Sequence, residues 1–250
     1  LNVLEYSASS GLSIGAAVPC TRVHTHPDVA TNYPGIATPT GFVGSVQIQN
    51  RASIGGNIGN GAPSGDTIPP LIALNATVTI VGPRGQREEP LEGIFAGPGR
   101  LTLQPDEFLI EINVPPPAPR SSSHYLRFIP RAEMDIAVAG VGSSVVLTNG
   151  GKSFVSARIA LASVAPTPLF VEAAGAALAG KDISDDTIEA AAQAAMAAAR
   201  PISDMRGTVE QRKRLLLLQR VIGNGGVNCP ADIKRMQNET GCASVMVGRA

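Results

Sequence analysis

The residues best suited to binding a ligand lie in one glycine-rich stretch, residues 53–66. It reads Ser-Ile-Gly-Gly-Asn-Ile-Gly-Asn-Gly-Ala-Pro-Ser-Gly-Asp. Because glycine has no Cβ, such a segment lets backbone N–H groups approach a ligand closely, and successive N–H groups in turns form a concave site for an anion. The alternative is a long surface loop whose glycines only serve turns. Composition alone leaves both interpretations open.

The sequence contains no other set of side chains with the spacing of a catalytic site. Cys20, His24 and His26 are the only clustered soft ligands, and no fourth Cys or His lies near them in the chain. There is no Gly-x-Ser-x-Gly nucleophile motif, and no Gly-Lys-Ser/Thr follows the glycines as in a Walker loop. We therefore expect a bound cofactor to supply the chemistry.

The composition indicates a folded protein without a preference for nucleic acid or membranes. Hydrophobic residues make up 44% of the 250 residues, and 20 basic residues balance 20 acidic ones. A neutral balance offers no basic field to polyanions, and the 4% aromatic content argues against base stacking. Three widely spaced cysteines argue against a disulfide framework or an iron–sulfur cluster held by this chain, and they favour the cytoplasm. No apolar run is long enough for a membrane span.

Two structural units are expected on either side of a proline-rich segment. Residues 115–123, Pro-Pro-Pro-Ala-Pro-Arg-Ser-Ser-Ser, predict an extended linker. In the first unit, strand patterns occupy residues 12–18, 76–81 and 107–114, and residues 45–49 also alternate. A helix capped by Asp66 or Thr67, with prolines in its first turn, is expected to follow.

The second unit has the pattern of strands followed by helices. Three strands are predicted over residues 124–128, 136–147 and 153–163, and a turn at residues 149–151 makes the last two antiparallel. Helices are predicted near residues 169–179 and 186–200, the second opening with a capping box formed by Asp186 and Glu189. The fold class expected from this order is α+β with two domains.

Five motifs, in order along roughly residues 8–219, resemble the FAD-binding medium subunit of molybdenum hydroxylases, the family of carbon monoxide dehydrogenase and xanthine dehydrogenase. They occupy residues 11–16, 49–66, 97–109, 131–137 and 201–208. The resemblance implies a FAD-binding PCMH-type α/β domain over residues 1–114. It also implies a C-terminal domain over residues 124–219, in which a three-stranded antiparallel sheet packs on helices.

The resemblance also implies which residues bind FAD. Ser53, Ile54, Gly55, Gly56 and Asn57 match the loop that wraps the FAD pyrophosphate, and Asn60 matches a small polar contact. Asp66 matches a carboxylate on the adenosine side, Leu109 an apolar neighbour of the adenine region, and Arg127 a cation near the flavin ring. The alternative for Arg127 is an exposed strand residue.

The function implied by the resemblance is electron relay. A molybdenum-cofactor large subunit oxidises the substrate, and an iron–sulfur small subunit carries the electrons to the FAD subunit. FAD then delivers them to an external acceptor, which could be NAD, oxygen or a quinone. The chain is therefore expected to be an oxidoreductase subunit whose activity depends on these partners.

Two departures from the family pattern define the alternatives. The family carries an earlier Ala-Gly-Gly motif that this sequence lacks, so we expect an N-terminal truncation, and the chain could be a docking or assembly module that no longer holds FAD. Residues 220–250 instead resemble the C-terminal end of a tRNA-dihydrouridine synthase barrel, in the segments 221–232 and 240–250. That tail makes a dihydrouridine synthase fragment the weaker alternative.

Overall fold

A computed structural model describes residues 1–131 and 134–218 of the chain. The first domain contains seven strands among these residues, β1 (Leu4–Ser7), β2 (Gly11–Gly15), β3 (Thr77–Gly82), β4 (Gly85–Pro90), β5 (Phe95–Gly97), β6 (Arg100–Leu101) and β7 (Phe108–Val114). Five of them form an antiparallel sheet in the order β1-β2-β7-β3-β4. The strands predicted over residues 12–18, 76–81 and 107–114 are thereby confirmed. The tail, residues 220–250, lies outside the described residues.

Short helices cross from β2 to β3. They are α1 (Cys20–His24), α2 (Pro27–Asn32), α3 (Pro34–Thr40), α4 (Val46–Gln49), α5 (Ile54–Gly59) and α6 (Ile68–Ala73). The alternation over residues 45–49 was misleading, because these residues form the single turn of α4. The predicted helix is present, with Thr67 at the N-cap position of α6 and prolines in the first turn.

The second domain is a four-stranded antiparallel sheet covered by three helices. Its elements are β8 (Ser121–Phe128), β9 (Ala139–Leu147), β10 (Phe154–Ala162), β11 (Leu169–Phe170), α7 (Glu172–Leu178), α8 (Asp185–Ala198) and α9 (Val209–Leu218). The strand order is β11-β10-β9-β8. A hydrophobic core of Val138, Leu161 and Leu216, among others, lies between this sheet and the helices.

Three details of the second domain differ from the predictions. The three predicted strands are present, but the sheet has a fourth strand because Leu169 and Phe170 pair with β10 before α7 begins. The linker ends at Arg120, since residues 121–123 already belong to β8. Helix α8 is capped by Ser184 rather than Asp186: Ser184 has extended backbone, and its side chain accepts from the Thr187 N–H at 3.2 Å.

Helix α6 joins the two domains, and every residue in it is buried. Its Leu71 and Ile72 belong to the core of the first domain, while its prolines face β9. A Cβ on Gly142 of β9 would lie 2.4 Å from the backbone of Pro69 and Pro70, so glycine is required for this approach. The domains therefore pack directly on each other despite the proline-rich segment between them.

Within the described part of the chain, no helix is both long enough and apolar enough to cross a lipid bilayer.

Candidate functional site

The glycine-rich stretch begins as a capped helix rather than as a loop. Ser53 has extended backbone, and its Oγ accepts a hydrogen bond from the Gly56 N–H at 3.0 Å. The residues just before it are fixed to the first domain, since the Cys20 N–H donates to the Ala52 carbonyl at 2.8 Å. The first N–H groups of a helix have no intrahelical acceptor. The first turn of α5 can therefore donate to an anion.

The glycines of α5 serve two different purposes. A Cβ on Gly55 would lie 2.4 Å from the Ala16 carbonyl oxygen, so Gly55 allows α5 to pack against the end of β2. Gly56 and Gly59 are exposed instead, and a Cβ on Gly59 would meet no atom within 4 Å. Bare backbone therefore faces outward on one side of α5, and Asn60 ends the helix on that exposed surface.

A hydrogen bond connects α5 to the start of α6. The Thr67 hydroxyl donates to Oδ1 of Asn57 at 2.7 Å. Thr67 is buried and directly follows Asp66. The Asn57 side chain therefore forms a hydrogen bond inside the protein, and this bond holds α5 next to the segment that carries Asp66.

Asp66 lies between the two domains in a nearly buried ion pair. Its Oδ2 accepts from Nη1 of Arg127 at 2.6 Å, and its Oδ1 accepts from the Tyr125 hydroxyl at 2.6 Å. Only 9% of the Arg127 side chain and 11% of the Asp66 side chain are exposed. The alternative that Arg127 is an exposed strand residue is therefore wrong.

The electrostatics of this group reflect its burial. Desolvation raises the pKa of the Asp66 carboxyl above its usual range, and Arg127 and Tyr125 oppose that shift. Burial, followed by the nearby Asp66 charge, holds the pKa of the Tyr125 phenol well above 10. The guanidinium of Arg127 also lies 4.7 Å from the ring centroid of Phe42, within the range of a cation–π contact.

Leu109 lies on the first-domain sheet, near α5. It pairs with Ile80 in the ladder between β7 and β3, and it packs half-buried against the first core. The next residue of β7, Ile110, accepts a hydrogen bond from the Ala16 N–H at 2.9 Å, and Ala16 touches α5. Asp66 and Arg127 are paired directly. The strand that carries Leu109 is instead connected to α5 through Ala16.

Sequence reasoning missed Tyr125 and Phe42. A signal for Tyr125 was available, because it precedes Arg127 by two residues on a predicted strand and such residues share a face. No sequence pattern pointed to Phe42. Cys20, His24 and His26 did not yield a centre either: across residues 1–131 and 134–218, no three His, Cys, Asp or Glu side chains are grouped as metal ligands.

The donors gathered here suit an anionic cofactor with polar edges. The site offers backbone N–H groups of α5 and the guanidinium of Arg127. Among the described residues, the guanidinium has a hydrogen-bond partner only at Nη1. Backbone N–H groups at a helix start and a cation are the groups that bind phosphate and other anions in proteins.

Comparison with family models divides the chain in the same way as the fold. Residues 1–117 match the FAD binding domain in molybdopterin dehydrogenase, and residues 124–222 match the CO dehydrogenase flavoprotein C-terminal domain. Residues 208–250 match a dihydrouridine synthase model, which overlaps the second match. The resemblance of the tail to that family is confirmed at the level of sequence.

Relatives and solved structures point the same way. The chain is 32% identical to the carbon monoxide dehydrogenase medium chain of Hydrogenophaga pseudoflava, over 88% of this chain and 76% of that one. It is 30% identical to a xanthine dehydrogenase FAD-binding subunit of Escherichia coli O157:H7, over 86% and 74%. Its fold matches a structure of the Hydrogenophaga pseudoflava carbon monoxide dehydrogenase with a TM-score of 0.82 at 32% identity, over 87% and 74% of the two chains.

Proposed function

The chain belongs to the FAD-binding medium subunits of the molybdenum hydroxylases, and we propose that it relays electrons through FAD to an external acceptor. It is an oxidoreductase subunit, and FAD is its cofactor. The observation that carries the proposal is the continuous set of contacts from the Ser53-capped turn, through Asn57 and Thr67, to the pair of Asp66 and Arg127.

The residues of this set receive separate roles in the proposal. Ser53, Ile54, Gly55 and Gly56 form the first turn of α5 at the pyrophosphate. The Gly56 N–H donates to the Ser53 Oγ, and the other N–H groups of this turn donate to the phosphate oxygens. Asn57 and Asn60 flank that turn, Asp66 holds Arg127 through their 2.6 Å ion pair, and Leu109 contributes an apolar wall. When bound, FAD supplies reversible uptake of electrons. Arg127 would provide a positive charge that stabilises negative charge on the reduced ring.

The partners proposed for the chain follow from its family. We place it in an assembly with a molybdenum-cofactor large subunit and an iron–sulfur small subunit, from which it receives electrons. The acceptor is NAD, oxygen or a quinone, and the assembly works in the cytoplasm. The two relatives compared above are a FAD-binding subunit and a medium chain, which supports a multi-subunit arrangement.

The proposal is tested with the purified chain and FAD. We expect the purified protein to show a flavin absorption band and to release FAD on denaturation. If the protein is colourless, we expect saturable binding when FAD is added. Anaerobic reduction followed by addition of NAD, oxygen or a quinone would then identify the acceptor. A chain that folds but never binds FAD would contradict the proposal and favour the docking module.

The match of residues 208–250 to dihydrouridine synthases supports a second, weaker candidate function. We propose that residues 208–250 have no activity by themselves, because they are too few to form the eight strands and eight helices of a TIM barrel. Bound FMN together with tRNA-dependent oxidation of NADPH by the purified chain would overturn that view. A variant ending at residue 219 should retain full FAD binding.

A further inference from the structure

Three side chains on one face of β8 reach across to the first domain. Ser123, Tyr125 and Arg127 alternate along the strand and therefore point to the same side. The Ser123 Oγ accepts from the Gly35 N–H at 3.1 Å, and the other two side chains both contact Asp66. The central one, Tyr125, is 1% exposed.

The neighbouring strand leaves space for the Tyr125 hydroxyl. Gly140 of β9 lies opposite Arg127 in the ladder, and a Cβ there would lie 2.4 Å from the Tyr125 hydroxyl oxygen. Any larger residue at position 140 would displace the phenol from Asp66. The site for the hydroxyl is therefore built by two strands.

The two hydrogen bonds to Asp66 use its two carboxylate oxygens separately. The Tyr125 hydroxyl donates to Oδ1, and Oδ2 accepts from Nη1 of Arg127. A carboxylate fixed at one oxygen presents the other in a defined direction, so the position of the guanidinium depends on the phenol. Arg127 is further confined by the ring of Phe42.

We propose that Tyr125 is a positioning residue for the flavin site, which acts by orienting Asp66 so that Asp66 holds Arg127 at the cofactor. This inference rests on the proposed function, because it assumes that Arg127 lies against bound FAD. Tyr125 itself need not touch the cofactor. Its effect on FAD should therefore pass entirely through Arg127.

The test compares two buried tyrosines whose hydroxyls donate to different acceptors. Tyr33 is also fully buried, and its hydroxyl donates to the Pro115 carbonyl at 3.0 Å. Tyr125→Phe and Tyr33→Phe each remove one hydroxyl together with its hydrogen bond. FAD dissociation constants of the full chain are measured by calorimetry, and the melting temperature of each variant is measured in parallel without FAD.

We expect Tyr125→Phe to raise the FAD dissociation constant by about three- to tenfold, the value of one hydrogen bond. Tyr33→Phe should lower the melting temperature comparably and change FAD affinity by less than about twofold, since the Tyr33 hydroxyl bonds the Pro115 carbonyl and not Asp66. In an Arg127→Ala background, Tyr125→Phe should raise the FAD dissociation constant by less than about a further twofold, because the side chain that Tyr125 positions through Asp66 is already absent.

The outcomes separate the inference from the proposed function. Equal FAD affinity for the unsubstituted chain and Tyr125→Phe would overturn the positioning role and leave FAD binding intact. A full additive effect of Tyr125→Phe in the Arg127→Ala background would also overturn it, since Tyr125 would then act by another route. No FAD binding by the folded, unsubstituted chain would overturn the proposed function and this inference together.

Discussion

At the scale of single residues, the site depends on a charge that is almost removed from water. Asp66 and Arg127 each expose about a tenth of their side chains, and each is the other's ionic partner. Removing one partner from such a pair leaves an uncompensated buried charge, which costs more than the pair contributes to stability. The FAD affinity and the stability of the chain are therefore coupled at Asp66.

Asp66→Ala should weaken FAD binding and also destabilise the fold. We expect the FAD dissociation constant to rise about tenfold and the free energy of unfolding to fall by about 3–5 kcal/mol, because Arg127 and the Tyr125 hydroxyl lose their acceptor. Both are measured by FAD titration and urea unfolding. Asp106→Ala is the control, since it removes an exposed carboxylate paired with exposed Arg84 and should cost less than about 1 kcal/mol. Equal effects of the two substitutions would contradict the role of Asp66.

At the scale of elements, the short helix α5 can pack against the end of β2 only because Gly55 has no side chain. Gly55 lies in its first turn, where the Ala16 carbonyl oxygen and Cα would meet any Cβ at 2.4 and 2.6 Å. Both atoms are backbone, so the contact cannot be relieved by a rotamer change. The helix would have to move away from β2, and its first-turn N–H groups would move with it.

Gly55→Ala should lower the free energy of unfolding by about 1–3 kcal/mol through this overlap, and it should weaken FAD binding. Gly59→Ala is the matched control in the same helix, where a Cβ has open space. Without FAD, Gly59→Ala should leave stability unchanged or raise it by up to about 1 kcal/mol. Urea unfolding of both variants distinguishes these results, and a neutral Gly55→Ala would show that α5 does not pack on Ala16 as described.

The motif at residues 201–208 has a structural explanation at the same scale. Asp204 accepts from the N–H groups of Arg206 and Gly207, and both its oxygens lie 2.8 Å from Nη2 of Arg212. Arg212 also donates to the carbonyls of Val138 and Ser163. The motif therefore ties α9 to the second-domain sheet.

Asp204→Asn should reduce the acid sensitivity of the chain. The backbone hydrogen bond from Arg206, followed by the Arg212 guanidinium, lowers the pKa of the Asp204 carboxyl in the fold. The stability that this carboxylate adds is thus present above its unfolded pKa of about 3.9 and is lost as the pH falls through the lower folded value. The difference in unfolding free energy between the unsubstituted chain and Asp204→Asn should be largest near pH 7 and shrink below about pH 4. A difference independent of pH would contradict this.

At the scale of the whole molecule, the two domains share one interface centred on α6. The helix is apolar throughout and buried throughout, as expected for a segment enclosed by two layers. Arg158 of β10 reaches across to the Ile72 carbonyl and pairs with Glu92 at 3.0 Å. The proposed flavin site takes Asp66 from one side of this interface and Arg127 from the other, so the proposal requires the two domains to be docked.

Gly142→Ala should therefore weaken FAD binding from a distance. A Cβ at position 142 would overlap the backbone of Pro69 and Pro70, which separates β9 from α6. We expect lower stability and a raised FAD dissociation constant, measured by thermal unfolding and titration. Gly150→Ala, in an open turn of the same domain, is the control and should change neither. Unchanged FAD affinity in Gly142→Ala would show that docking does not shape the site.

Much of this organisation could be predicted from the sequence, for reasons visible in particular residues. Residues 107–114 alternate and carry β-branched side chains, so strand β7 was predictable from local pattern. Leu169 and Phe170 are too few to show a period, and their strand exists only because β10 offers an edge. The pairing of Asp66 with Arg127 joins residues remote in sequence. The family resemblance placed both near FAD but could not show that they bind each other.

The most direct test of the account is calorimetric titration of the purified chain with FAD, repeated with Arg127→Ala. The account predicts saturable binding at one site per chain, and an affinity at least about tenfold weaker in the variant, since a charge-assisted contact is lost. A folded chain that binds no FAD, or a variant that binds FAD as tightly as the unsubstituted chain, would contradict it.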